Sequence, residues 1–315
     1  MRIGWKRAAR EFVWPSSRGG KIRMLAASIV LAAIGIGGCG QSNRLFYWPN
    51  DLVYNNPADE GRTFENVYFQ SADGTRLHGW FLPAQTRPAG AKGTVIYFHG
   101  NAQNLTAHYE FVSWLPARGY NLFLFDYRGF GQSEGEPTRE GTFQDSVAAL
   151  GYITSREDQK GVPLVVFGQS LGGALSLAAL GETDPKLVRG IALESTFYSY
   201  QGVAQSHLAS IWWLWLVQWP LAHWLVTDDH SPSHSLANLK GVPLLVIHGD
   251  ADEIVPYSQG TALFEHAGEP KRFIRVPGGS HCGGTGSFRT KEAQQYRQEL
   301  VKFFDQCIAA PKVPE

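Results

Sequence analysis

The chain has 315 residues, 43% hydrophobic and 13% aromatic, which is enough to build a large core and excludes global disorder. Its 28 basic and 28 acidic residues cancel, yet residues 1–38 carry seven basic side chains against Glu11 alone, leaving the rest of the chain at −6. An acidic body without a Lys/Arg stripe argues against nucleic acid as the main partner, and three cysteines are too few for a disulfide scaffold.

Residues 1–38 come first and read as a targeting segment. Basic residues precede the charge-free run from Met24 to Gly38, which is shorter than the roughly 20 apolar residues of a spanning helix. Ile36-Gly37-Gly38-Cys39 resembles the bacterial lipobox, in which small residues precede a cysteine that is lipidated and becomes the mature N-terminus. That resemblance implies a lipoprotein-type signal peptide over 1–38, lipidation at Cys39 and a place in the bacterial cell envelope. Gly40 stands where inner-membrane-retained lipoproteins typically carry Asp, so the expected site is the outer membrane. A plain signal peptide and an uncleaved anchor helix remain open. Gly35, Gly37 and Gly40 match a dinucleotide fingerprint by spacing, but no helical pattern follows them.

Residues 39–62, rich in Asn, Pro and Asp, read as a tether that docks through Phe46, Tyr47 and Trp48. Phe64–Gln70 and Arg76–Leu82 read as strands joined by the turn Ser71-Ala72-Asp73-Gly74. Strands are then expected at Gly93–Phe98, Tyr120–Asp126, Pro163–Phe167, Val188–Leu193, Pro243–Ile247 and Arg272–Val276. Helices are expected at Ala107–Ala117, Arg139–Ile153, Leu171–Leu180 and Thr290–Ile308. Near-continuously apolar strands alternating with helices argue a mostly parallel sheet covered on both faces, in a domain over 63–308 with a tail over 309–315.

Gly168-Gln169-Ser170-Leu171-Gly172-Gly173 lies between a strand and a small-residue helix. Gly-x-Ser-x-Gly in that setting is a nucleophile elbow: a tight turn lifts the Ser170 hydroxyl above the sheet and needs neighbours without bulk. The following helix start points its N–H groups at developing negative charge. Two further motifs accompany it, Tyr97-Phe98-His99-Gly100-Asn101-Ala102-Gln103-Asn104 and Asp126-Tyr127-Arg128-Gly129-Phe130-Gly131-Gln132-Ser133-Glu134-Gly135. A third is His248-Gly249-x-x-Asp252-x-x-Val255-Pro256. With these, residues 45–308 resemble the alpha/beta-hydrolase fold. The resemblance is greatest to the branch of serine aminopeptidase-like proteins, monoacylglycerol lipases and acyl-protein depalmitoylases.

The resemblance implies a triad in the chain order serine, acid, histidine. Three carboxylates follow the strand ending at Ile247: Asp250, Asp252 and Glu253. The family pattern places the acid four residues after the histidine of His-Gly, at Asp252, with Asp250 as runner-up. The base should follow the last strand, and there Gly278-Gly279-Ser280-His281-Cys282-Gly283-Gly284 offers His281 on a flexible loop. His99 and His248 read as structural. The oxyanion hole should use the Leu171 N–H and, by resemblance, that of Asn101, with Ala102 left open.

Residues 196–240 interrupt the alternation with Trp212, Trp213, Trp215, Trp219 and Trp224. They read as a helical cap whose apolar face shapes an acyl pocket. His230 and His234 straddle Pro232, and no Cys pair or His-Glu-x-x-His occurs, so neither a metal nor a cofactor is expected. Cys282 and Cys307 are not expected to pair. The sequence thus reads as a monomeric, lipid-anchored serine hydrolase of acyl esters, thioesters or lipid acyl groups. The alternatives are hydrolysis of short peptides and a catalytically silent envelope binding protein.

Overall fold

The computed structural model describes residues 47–85, 90–211, 217–282 and 294–310. Residues 1–38, over which a signal peptide is expected, Cys39, Phe46, Trp212, Trp213, Trp215 and Gly283-Gly284 lie outside them. Eight strands form one sheet: β1 (Glu65–Gln70), β2 (Arg76–Leu82), β3 (Gly93–Phe98), β4 (Tyr120–Phe125), β5 (Leu164–Gln169), β6 (Ile191–Glu194), β7 (Leu244–Gly249) and β8 (Lys271–Val276). Their order is β8-β7-β6-β5-β3-β4-β2-β1. The ladders from β8 through to β4 are parallel, whereas β2 pairs antiparallel with both β4 and β1. The expected α/β architecture with an N-terminal antiparallel hairpin is the one observed.

The central strands are buried along their whole length, as their apolar sequences require. Alternation sends Val95 and Tyr97 of β3 to one core and Ile96 and Phe98 to the other. The helices are α1 (Leu105–Val112), α2 (Arg139–Ser155), α3 (Leu171–Gly181), α4 (Tyr200–Ala209), α5 (Gln218–Leu225), α6 (Tyr257–His266) and α7 (Gln294–Ala309). Because β3 lies between β4 and β5, the chain leaves β3 and β5 in opposite directions. That reversal opens a crevice at the carboxyl ends of the strands, where ligands of such sheets bind.

Helix α1 begins two residues before the expected Ala107, because the Asn104 side chain accepts from the Thr106 N–H at 2.9 Å. It stops early because Pro116 cannot continue the ladder; a short 3-10 turn, Pro116–Arg118, follows. Helix α6 was not anticipated. Its sequence is polar and only Gln259, Gly260 and Leu263 are buried, so it lacks a clear apolar stripe.

The tether docks through Tyr47, which is buried and meets Thr142 Oγ1 through its hydroxyl at 3.3 Å. Trp48 instead pairs by backbone with Ala102 and leaves its ring 52% exposed, contrary to the docking role expected of it. Among the described residues of the expected insert the two longer helices are α4 and α5. The single turn Pro232–Ser235 packs on α3, where a methyl on Gly181 would meet Ser235 Cβ at 2.5 Å.

Candidate active site

Ser170 sits between β5 and α3 with φ +53° and ψ −120°, a conformation that costs a non-glycine residue about 1–3 kcal/mol. The surroundings hold it there. Its N–H donates to the Glu194 carbonyl at 2.9 Å, and its own carbonyl accepts from Thr196 Oγ1 at 2.7 Å. The flanking glycines are steric requirements. A Cβ on Gly168 would reach Gly173 Cα at 2.6 Å, and one on Gly172 would collide with the Phe98 and His99 carbonyl oxygens. Gly172→Ala is therefore expected to cost about 3 kcal/mol or more, at or beyond the upper end of ordinary overpacking, measured by urea unfolding. The same collision shows how closely the loop after β3 approaches the elbow: Gly100 lies against the Ser170 side chain.

His281 arrives from the loop after β8. That loop is fastened to the one after β7, since Ala251 N–H donates to the Gly279 carbonyl at 3.0 Å and Asp250 N–H to that of Val276 at 3.2 Å. Within this clasp His281 Nε2 lies 3.0 Å from Ser170 Oγ. Its Nδ1 lies 2.9 Å and 3.1 Å from the two Asp252 oxygens. An N–H at Nδ1 donating to the carboxylate leaves Nε2 as the acceptor facing the serine hydroxyl.

Asp252 is fully buried as a side chain. Burial alone would raise its pKa. Hydrogen bonds from His248 and His281, the charge of His281 and the Val255 N–H outweigh burial and hold it well below the usual carboxylate range. Ile254 and Val255 N–H both donate to its Oδ1, at 2.9 Å and 2.8 Å. His248, expected to be structural, is buried with Nε2 3.4 Å from Asp252 Oδ2 and 2.9 Å from the Val255 carbonyl. It therefore also steadies the acid. Asp250 faces elsewhere, ion-paired to Arg275 at 2.6 Å, and Glu253 is exposed.

Leu171 opens α3, so its N–H belongs to the first helical turn, which has no partner within the helix. Asn101 accepts the Trp48 N–H through its carbonyl at 3.2 Å, in the loop beside Ser170; Ala102 follows it and is exposed. Among the described residues no cluster of three His, Cys, Asp or Glu side chains could hold a metal. His230 pairs with Glu140 at 2.7 Å, and His234 lies 4.0 Å from Asp228. Cys282 and Cys307 are both buried thiols.

Beneath the serine lies a buried chain that the sequence did not disclose. Tyr97 donates its hydroxyl to Gln169 Oε1 at 2.8 Å, and Gln169 Nε2 donates to Glu194 Oε2 at 3.0 Å. Burial, with a smaller contribution from the Asp252 charge, pushes the Glu194 carboxyl up to about 8. In the folded protein Glu194 keeps its proton until that pH, whereas the unfolded chain loses it near 4.5. Between those values the folded state binds more protons, so stability falls as pH rises, by at most about 1.4 kcal/mol per unit. Glu194→Gln is neutral throughout and should flatten that slope. Melting temperatures of both proteins at pH 5 and pH 8 test this; parallel curves would count against it.

A family model described as serine aminopeptidase, S33, matches residues 89–241. The chain is 39% identical over 259 residues to the uncharacterized protein YfhR of Escherichia coli (strain K12), covering 82% of this chain and 85% of that one. It is 33% identical over 233 residues to WAV2, an alpha/beta hydrolase domain-containing protein of Arabidopsis thaliana, covering 71% and 74% of the two chains. The chain belongs to the alpha/beta-hydrolase superfamily. Among solved structures, an esterase of Pyrococcus furiosus aligns with this hydrolase at TM-score 0.65 and 19% identity, over 83% of this chain and 98% of its own. That likeness is one of fold.

Proposed function

We propose that this hydrolase cleaves acyl esters, thioesters or lipid acyl groups through an acyl-enzyme on Ser170. The relay Ser170 Oγ to His281 Nε2, 3.0 Å, and His281 Nδ1 to Asp252, 2.9 Å, carries the reading. Ser170 attacks the carbonyl carbon while His281 takes the hydroxyl proton, and buried Asp252 stabilises the imidazolium. The Leu171 and Asn101 N–H groups receive the oxyanion. His281 then protonates the departing alkoxide or thiolate. Water, deprotonated by His281, attacks the acyl-enzyme and releases the acid, restoring Ser170. Every step uses groups of this chain and water.

Esters are favoured over amides because the sequences of α4 and α5 contain no Asp or Glu to receive a peptide amine. The serine aminopeptidase match favours short peptides as the second reading. A fluorophosphonate probe followed by esters of increasing acyl length beside aminoacyl amides separates these. Failure to label the wild type, or equal labelling of Ser170→Ala, would leave the binding-protein reading. The sequence of the leader supports a lipid anchor at Cys39 in the cell envelope, with outer-membrane sorting by Gly40. Loss of labelled palmitate incorporation in Cys39→Ser tests that part.

A further inference from the structure

Most large hydrophobic side chains exposed among the described residues fall in two short segments. Trp48, Leu52, Val53 and Tyr54 form one; Val217, Trp219 and Trp224 form the other. The first borders the loop beside Ser170, and the second connects through α4 to the loop that carries Asp252. The first pairs with Ala102 and Gln103, directly after the loop beside the serine. The second includes α5, which is tied to α4 by Gln201 Nε2 donating to the Val226 carbonyl at 3.1 Å. Helix α4 in turn reaches the acid loop, where His207 Nε2 lies 3.0 Å from the Ile254 carbonyl.

Neither segment is loose. Asn104 Nδ2 donates to the Asn50 and Leu52 carbonyls at 3.0 Å and 2.8 Å, and Thr106 Oγ1 accepts the Tyr54 N–H at 3.0 Å. The backbone is clamped by polar groups while the apolar side chains are held out in water. Helix α5 is equally unusual: of Gln218–Leu225 only Ala222 is buried, so its tryptophans face away from the body. Trp219 and Trp224 are 59% and 71% exposed. A held, outward apolar surface is the mark of an apolar partner.

We propose that this rim docks on a lipid bilayer, with residues 52–54 and α5 entering the interfacial layer. The composition of the rim and the position of the leader select that occupant. Trp and Tyr are the residues of membrane–water interfaces, and residues 217–227 contain no Asp, Glu, Lys or Arg. The apolar run 24–38 ends at Cys39, and only residues 40–46 separate that point from Tyr47. Seven extended residues span about 25 Å at most. A chain anchored at Cys39 therefore keeps the rim within reach of the same surface. With the body at −6, contact rests on apolar insertion rather than on charge, so neutral phosphatidylcholine vesicles serve as the probe.

The full chain carrying Cys39→Ser is labelled with an environment-sensitive fluorophore through Val53→Cys, through Trp224→Cys, or through Leu187→Cys in the turn that precedes β6. The native Cys282 and Cys307 are buried and do not compete. With vesicles containing shallow acyl-chain nitroxides, the probes at 53 and 224 are expected to be quenched at least threefold and the probe at 187 to stay unquenched. Absence of quenching at 53 and 224, or equal quenching at all three sites, overturns the proposal. So does shielding of the rim probes without lipid that grows with protein concentration, which would assign the surface to a second copy. No outcome depends on catalysis, so failure here and failure of the hydrolase reading are distinguishable.

Discussion

Ser170→Ala is expected to lower kcat/KM for an acyl ester by at least about 10⁴-fold while leaving the unfolding midpoint unchanged. The two halves have separate origins. The Ser170 Oγ makes its side-chain contact with His281 at the mouth of the crevice, so its removal leaves no buried group without a partner. The strained backbone is also retained: Thr196 Oγ1 and the Glu194 carbonyl hold Ser170 through main-chain atoms, which alanine keeps. Activity has no such redundancy, because among the described residues no other hydroxyl is placed on His281 Nε2. The residual rate should reflect the oxyanion donors and substrate binding alone. Adding His281→Ala to Ser170→Ala should therefore cost little more, as expected of groups that act as one unit. Steady-state kinetics with fluorophosphonate labelling and thermal unfolding of the same preparations check all three statements. Retention of more than about 1% of the wild-type rate would mean that another group supplies the nucleophile.

The parts of this protein legible in its sequence are those in which local chemistry and global fold demand the same residues. Gly168, Gly172 and Gly173 stand out in a sequence because nothing larger fits the elbow, and the elbow exists because a strand and a helix meet at Ser170. The apolar runs of β3, β5 and β7 were readable because strands buried on both faces need no alternation. Features set by distant packing were not. Helix α6 lacks an apolar stripe because Gly260 approaches the His248 ring itself, so a glycine does the packing that a leucine would otherwise announce. Glu194 looks like the polar end of a strand, and its burial beside Gln169 follows from the parallel register of β5 and β6. The Trp-rich run suggested a pocket because composition reports apolarity and not direction. Two of those rings point outward. The loop after β7 offered three carboxylates within four residues, and the family resemblance ranked them without showing which faces the imidazole.

That ambiguity gives the second expected result. Asp252→Asn should lower kcat by about 10⁴-fold with some loss of stability, since the ionised carboxylate is favoured by the fold, whereas Asp250→Asn should leave kcat within about threefold of wild type. The Asp252 case follows from its two oxygens having different tasks. Oδ1 accepts the Ile254 and Val255 N–H groups and thereby builds the turn after β7; an asparagine oxygen can do the same. Oδ2 faces His281 Nδ1 at 2.9 Å and His248 Nε2 at 3.4 Å. An asparagine Nδ2 there turns an acceptor into a donor. His281 must then accept at Nδ1 and carry its proton at Nε2, pointing it at Ser170, where it cannot act as base. The imidazolium also loses its buried counter-charge. Asp250 offers the opposite case. Its carboxylate is held below its usual pKa by the Arg275 guanidinium and the Gly278 N–H, and neither contact reaches the imidazole. A loss of comparable size in Asp250→Asn would show that the His281 loop depends on the Arg275 clasp for its position. Parallel kinetics on both variants, with a urea unfolding curve for each, decide between direct orientation of the imidazole and support of its loop.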